Sequence, residues 1–274
     1  VADTSAAWHS KQSGLEEFDK QWDIARRRHH NDGAVVFYIS LPGMVDHDGV
    51  PCLVLPGTSP WNSSQWLPVA DLLDRAGGDG SDELEKIVLL DCTRTPTDWN
   101  LGVVRNTFVE RVQELVRKRK DPHLHVITAA GPGETAWASS ELEGSAFGRA
   151  VAAALAGECD RTKSSAKIGN RNGRVSLREL HRFVALRVGD WALRNRGLAH
   201  TPRLFSGAAE DAADFRVAWA LSRKSQADLE AAEAIRAPAA DAVSVDARAG
   251  LWRRLETVRD AAPFRAHPVA WREL

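Results

Sequence analysis

Cysteine is scarce in this chain. Its three cysteines, Cys52, Cys92 and Cys159, include no C-x-x-C pair. An odd, sparse set argues against a disulfide framework and favours a reducing compartment, and the missing C-x-x-C spacing argues against a cysteine zinc site. We therefore expect a cytoplasmic protein without a bound metal or other cofactor.

An excess of either charge and a long apolar run are also lacking. The chain has 36 Lys and Arg against 37 Asp and Glu, so its formal net charge is -1. Such a balance gives no reason to expect binding to nucleic acid or to an anionic membrane. The longest apolar stretches, such as residues 150–156, are far too short to span a bilayer, and no basic segment with an apolar core opens the sequence. We expect neither nucleic acid nor membrane as a partner.

What the sequence does contain is an alternation of apolar runs with amphipathic segments. Continuous apolar runs predict strands buried on both faces at residues 34–40, 87–91 and 124–128. Shorter strands are predicted at residues 51–55 and 201–205, and helices at residues 15–28, 65–75, 103–118, 147–156 and 177–194. Ser176 and Glu179 have the spacing of a capping box before the last helix. The alternation predicts a three-layer α/β fold, with a mainly parallel sheet and helices on both faces.

Two of the predicted strands end in loops that should share one edge of the sheet. The strands end at Ser40 and Asp91, and we expect them to be neighbours at the centre of the sheet. Ligand sites on open α/β sheets lie beyond the carboxyl ends of the strands. The loops at residues 41–49 and 92–99 are therefore the expected place for a functional site.

The composition changes after about Gly207. Residues 211–236 are charged and rich in alanine, which predicts a long helix packed on the outside of the domain, and residues 238–245 resemble a linker. We expect one domain over residues 1–206. Residues 207–274 would then form a helical extension leading toward another domain.

Five segments, in order, carry a resemblance to a known family. They read FYISLPG (37–43) followed by LVLP (53–56), LLDCTRTP (89–96), SAFGRAVAAALAG (145–157), NGRVSLREL (172–180) and HTP (200–202). The series resembles the caspase-like peptidases, the group that includes metacaspases and bacterial orthocaspases. It covers residues 34–205, and it implies a caspase-like fold within a larger, bacterial protein.

The two catalytic positions that the resemblance implies are substituted. Aligned on Gly43, the histidine position of the family is Pro42, which has no titratable group. Aligned on Asp91, the cysteine position is Thr93, whose hydroxyl is a poor nucleophile without an adjacent base. The resemblance therefore implies a proteolytically inactive relative, which acts as a binding or regulatory module for a protein or peptide or for other domains of the same polypeptide.

Alternatives remain open at several residues near this edge. Cys92 could be a displaced nucleophile with an unidentified base, or it could be a buried apolar residue. His47 could be a displaced base or a solvated turn histidine. In metacaspase-like relatives the aspartate at the position of Asp91 helps to form a pocket for a basic side chain, but Asp91 could equally cap its loop. Two acidic residues after the third strand, Glu134 and Glu141, are near the same edge or merely solvated.

Overall fold

The computed structural model describes residues 10–28, 34–59, 61–77, 84–92, 106–139, 142, 144–162, 168–207 and 215–219. Helices in these ranges are α1 (Lys11–Arg28), α2 (Val69–Gly77), α3 (Phe108–Arg119), α4 (Ala146–Leu155), α5 (Glu158–Arg161) and α6 (Leu177–Arg196), with a 3-10 turn at Ser63–Gln65. Strands are β1 (Ala34–Ile39), β2 (Gly43–Val45), β3 (Pro51–Leu53), β4 (Leu67–Pro68), β5 (Glu85–Leu90), β6 (Leu124–Thr128), β7 (Ala138–Ser139), β8 (Gly144–Ser145), β9 (Arg174–Ser176), β10 (Arg203–Ser206) and β11 (Arg216–Trp219).

The main sheet has the order β1-β5-β6-β10. Strands β1, β5 and β6 run parallel, and β10 is antiparallel to β6. The predicted pairing of the two strands before the loops is confirmed, because Ile39 lies opposite Leu90. Their predicted position is corrected in part: β5 and β6 are the inner strands of the described sheet, and β1 lies at its margin.

Helices cover both faces of this sheet, which confirms the three-layer α/β fold. Side chains alternate between the faces along β5, as the pleat requires: Val88 and Leu90 enter one core, while Ile87 and Leu89 enter the other. The first core also contains buried residues of α1, α2 and α3, namely Leu15, Phe18, Leu72, Leu73, Phe108 and Val112. The second contains residues of α4 and α6, namely Phe147, Val151, Phe183 and Val184.

Helix ends follow local chemistry. The capping box before α6 is confirmed, since the Ser176 side chain accepts from the Glu179 backbone N–H and the Glu179 side chain accepts from the Ser176 backbone N–H.

The helix predicted over residues 65–75 begins later, at Val69. The residues before it pair with β3 as strand β4, with Leu67 opposite Leu53, and this pairing keeps the chain extended up to Pro68.

The helix predicted over residues 211–236 is wrong for residues 215–219, the part of that segment that the structure describes. Residues Arg216–Trp219 form strand β11, which pairs antiparallel with β9. Phe215 and Val217 pack against the second core, so burial of these side chains overrides the helical tendency of the surrounding composition. The rest of that segment, and the linker at residues 238–245, lie outside the described residues, and the division at residues 206 and 207 stays a prediction. No described helix combines the length and apolar character needed to cross a bilayer.

Candidate functional site

The loops after β1 and β5 meet at the carboxyl edge of the sheet. The Gly43 N–H donates to the Cys92 carbonyl at 2.6 Å, and the Asp91 N–H donates to the Ile39 carbonyl at 2.9 Å. Glycine is required at position 43, because a Cβ there would lie 2.9 Å from the ring of Phe108. The structure thus brings together the two loops on which the sequence placed a site.

Pro42 is exposed at this edge. Its carbonyl accepts a hydrogen bond from the Val54 N–H at 2.8 Å, which ties the loop to the chain just after β3. The pyrrolidine ring has no proton to give or take, so it cannot serve as a general base. The other substituted position, Thr93, lies outside the described residues.

Cys92 is buried, with none of its surface exposed. Its thiol donates to the Ile39 carbonyl at 3.6 Å, and the residue belongs to the first core. A nucleophilic cysteine needs an accessible thiolate in a polar environment. The position of Cys92 is that of a small apolar core residue, which favours the second of the two sequence interpretations.

Asp91 is also fully buried, but it faces polar neighbours. The Tyr38 hydroxyl donates to its Oδ2 at 2.6 Å and lies 3.4 Å from the Ser145 hydroxyl oxygen. Ser145 caps α4 by accepting from the Gly148 N–H at 2.8 Å. A Cβ at Gly148 would lie 2.7 Å from the Tyr38 hydroxyl, so glycine leaves room for the tyrosine. Sequence reasoning did not identify Tyr38 or Ser145 as members of this group.

His200 lies near the same edge, close enough to Asp91 and Glu134 for their charges to act on it. It is fully buried, and burial lowers the pKa of its imidazole to about 4, although the Ala129 carbonyl and the charges of Glu134 and Asp91 act in the opposite direction. The residue stood in the HTP segment of the sequence, but nothing there marked it as buried. Its imidazole is therefore a weak base, which stays neutral in the folded protein until the pH falls to about 4.

Glu134 has a structural role near the same edge. Its carboxylate accepts from the backbone N–H of Gly131 and from both the N–H and the hydroxyl of Thr201, at 2.6 to 2.9 Å. It therefore joins the loop after β6 to the segment before β10 and is not merely solvated. Glu141 lies outside the described residues. His47 is exposed and lies 3.2 Å from Asp48, as expected for a turn histidine.

A second polar cluster lies at the opposite, amino end of the sheet. The Glu85 carboxylate bonds His123 Nδ1 at 3.1 Å and His125 Nε2 at 2.8 Å. Burial alone would raise the pKa of Glu85, but hydrogen bonds and charge from the two histidines lower it below its ordinary value. Three or more His, Cys, Asp or Glu placed to hold a metal ion are not found together anywhere in the described ranges.

Replacing Tyr38 with phenylalanine tests the contact at Asp91. The substitution removes the hydroxyl that donates to the buried carboxylate and keeps the ring near Phe147. Hydrogen bonds to charged groups contribute about 1.5–3 kcal/mol, so we expect a loss of about 1.5 kcal/mol in the free energy of unfolding. Urea denaturation measures it, and an unchanged midpoint would contradict the assignment.

Comparisons with known proteins add little to this geometry. The chain matches no family model and no curated protein. Among solved structures it is similar to the crystal structure of protein GSU0716 from Geobacter sulfurreducens, with a TM-score of 0.45 and 11% identity over 78% of this chain and 80% of that one. This similarity assigns neither a family nor a function.

Proposed function

We propose that this chain is a caspase-like domain without peptidase activity, which acts as a binding or regulatory module for a protein or peptide partner. The partner is a separate protein or peptide, or else another domain of the same polypeptide. The observation that carries the proposal is the 2.6 Å bond from the Gly43 N–H to the Cys92 carbonyl, which joins the two loops that catalysis would use. Beside this hydrogen bond the first loop carries an exposed proline, Pro42, and the second carries a buried thiol, Cys92.

Cleavage by a cysteine peptidase needs a thiolate and a base that takes and returns its proton. Pro42 supplies no base, and Thr93 replaces the thiol at the family's position. Cys92 would have to leave the apolar core before its sulfur could reach a substrate. Binding without cleavage is therefore the function that this edge of the sheet supports.

Asp91 gives the proposed site its ligand chemistry. The Tyr38 side chain that covers it is 46% exposed, so the ring can rotate outward at the cost of its contact with Phe147. A lysine or arginine of the partner would then replace the hydroxyl and add the attraction of opposite charges to the hydrogen bond. We propose that the partner presents a basic side chain to Asp91.

Two measurements test this function. Purified protein should not cleave fluorogenic peptides after Arg, Lys or Asp faster than a Cys92→Ala variant does. A blocked peptide that ends in arginine amide should bind at least tenfold more tightly than the same peptide with citrulline in place of arginine. Citrulline has the same shape but is neutral, and loss of one partner of a buried ion pair costs about 3–5 kcal/mol.

Asp91→Asn is the matched protein variant. It keeps an oxygen for the Tyr38 hydroxyl and removes the charge, so the preference for arginine over citrulline should disappear. Equal binding of both peptides by the unmodified protein would refute the basic-side-chain proposal. Cleavage that is abolished by Cys92→Ala would refute the inactive assignment and favour a cysteine peptidase.

We also propose that the protein works in the cytoplasm. All three cysteines are buried, and no two of them form a disulfide. Burial raises the pKa of the Cys52 and Cys159 thiols to about 12, which keeps them protonated and unreactive. Such thiols suit a reducing compartment, and fractionation of the native cells tests the location.

A further inference from the structure

The carboxylate of Asp91 is covered by a side chain of the domain itself. The Tyr38 hydroxyl donates to Asp91 Oδ2 at 2.6 Å, and it lies 3.4 Å from the hydroxyl oxygen of Ser145. Asp91 has none of its surface exposed, whereas almost half of Tyr38 is exposed. The hydroxyl occupies the place at Oδ2 that the charged group of a basic ligand would need. Tyr38 and such a ligand therefore compete for this oxygen.

The ring of Tyr38 lies where it can move away from Asp91. Tyr38 belongs to β1, which is at the margin of the described main sheet. Its ring stacks on that of Phe147 with the centroids 6.4 Å apart, toward the long end of the range for aromatic pairs. Exposed side chains exchange rotamers readily. The hydrogen bond to Asp91 is therefore a main contact that keeps the ring in its closed position.

Gly148 leaves the room that the closed position requires. A Cβ at this residue would lie 2.7 Å from the Tyr38 hydroxyl oxygen and 3.0 Å from that of Ser145. Gly148 lies in the first turn of α4, although glycine weakens a helix relative to alanine. The N–H that it donates to Ser145 belongs to the backbone, and alanine would supply the same donor. The missing side chain therefore serves the position of Tyr38 and not the helix.

We infer that Tyr38 is a lid that competes with the basic side chain of the partner for Asp91, and that Gly148 allows this lid to close. The inference rests on the function proposed at Asp91 and adds its regulation. A ligand that binds only the open form has its apparent affinity reduced by the fraction of molecules that are open. The closed lid therefore rejects a ligand that offers a positive charge alone, and it admits a partner whose further contacts offset the cost of opening.

Two substitutions open the lid by different physical means. Tyr38→Phe removes the hydroxyl that competes for the carboxylate. Gly148→Ala keeps the hydroxyl and places a methyl group where the closed ring would be. Each variant should bind the blocked peptide that ends in arginine amide about tenfold more tightly than the unmodified protein does, the change expected when one hydrogen bond to a charged group no longer has to be broken. Isothermal titration calorimetry measures both affinities.

Gly189→Ala is the matched control for the glycine substitution. Gly189 also lies inside a helix, α6, but a Cβ there would meet only the His200 carbonyl oxygen at 3.7 Å, an ordinary contact distance. This variant should bind the peptide as the unmodified protein does. The double variant Tyr38→Phe with Gly148→Ala should bind no more tightly than Tyr38→Phe alone, because no hydroxyl is left to displace. Additive gains would overturn the lid.

A second measurement follows the lid without any ligand. Tyr38 is the only tyrosine of the chain, so protein made with fluorotyrosine should give one fluorine NMR signal. In Gly148→Ala this signal should move from its position in the unmodified protein toward that of the chain unfolded in urea. In Gly189→Ala it should stay in place. An unmoved signal in Gly148→Ala would overturn the lid whatever the peptide affinities are.

The two measurements separate the lid from the function on which it rests. In the unmodified protein, the arginine peptide should move the fluorine signal in the same direction as Gly148→Ala does, and the citrulline peptide should not. A signal that responds to Gly148→Ala but to neither peptide would support the closed contact and refute a basic ligand at Asp91. A preference for arginine over citrulline whose strength is the same in the unmodified protein, Tyr38→Phe and Gly148→Ala would keep the proposed function and overturn the lid.

Discussion

Replacing Asp121 with asparagine is expected to lower the free energy of unfolding by about 3–5 kcal/mol, the cost of leaving one partner of a buried ion pair alone. The Asp121 carboxylate lies 2.9 Å from the Lys86 ammonium group, whose side chain is only 2% exposed. Asparagine keeps the oxygen that accepts from the His123 N–H and removes only the charge. Urea denaturation with an unchanged slope would measure the loss as a shift of the midpoint.

The control for this prediction is Lys86→Met, which removes the other charge and keeps the length of the side chain. Asp121 is 20% exposed and can be hydrated when it is left alone, so this variant should lose less than Asp121→Asn. The double variant should be more stable than the sum of the single effects predicts, because it leaves no unpaired charge. A larger loss for Lys86→Met than for Asp121→Asn would contradict the argument.

The layers of the fold could be predicted from the sequence because the buried strands are continuous apolar runs. Residues 87–90 read IVLL, and a strand covered on both faces requires such a run. Strand β11 could not be predicted, because the alanine-rich sequence around Phe215 and Val217 favours a helix. The strand forms because these two side chains pack against the second core, which is a tertiary contact. The start of α2 was misplaced for the same reason, since the pairing of Leu67 with Leu53 is a tertiary contact.

The candidate site was predictable only where it follows from strand order. Parallel neighbours end at the same edge, so the meeting of the loops that hold Pro42 and Cys92 could be expected. The contact of Tyr38 with Ser145 joins residues 107 positions apart, and no pattern in the sequence connects them. The burial of His200 was equally hidden, because a single histidine before Thr201 and Pro202 has the same letters whether it is exposed or enclosed.

That burial leads to the second large effect, a loss of stability in mild acid. Above pH 6.5 the His200 imidazole is neutral in the folded and the unfolded chain, so it adds no dependence on pH. Below 6.5 the unfolded chain takes up a proton, whereas the folded chain does not until its pKa of about 4. The free energy of unfolding therefore falls as the pH falls through this window, by roughly 3 kcal/mol in total, and levels off below it.

His200→Gln isolates this effect, because glutamine is polar and does not titrate. The variant should show a shallower fall in unfolding free energy between pH 6.5 and 4 than the unmodified protein, by about 1.4 kcal/mol for each pH unit. His181, whose pKa is also lowered by burial, remains in both proteins and cancels in the comparison. Parallel curves for the unmodified protein and His200→Gln would contradict this prediction. They would mean that the folded protein protonates His200 as readily as the unfolded chain does, although the imidazole is completely buried.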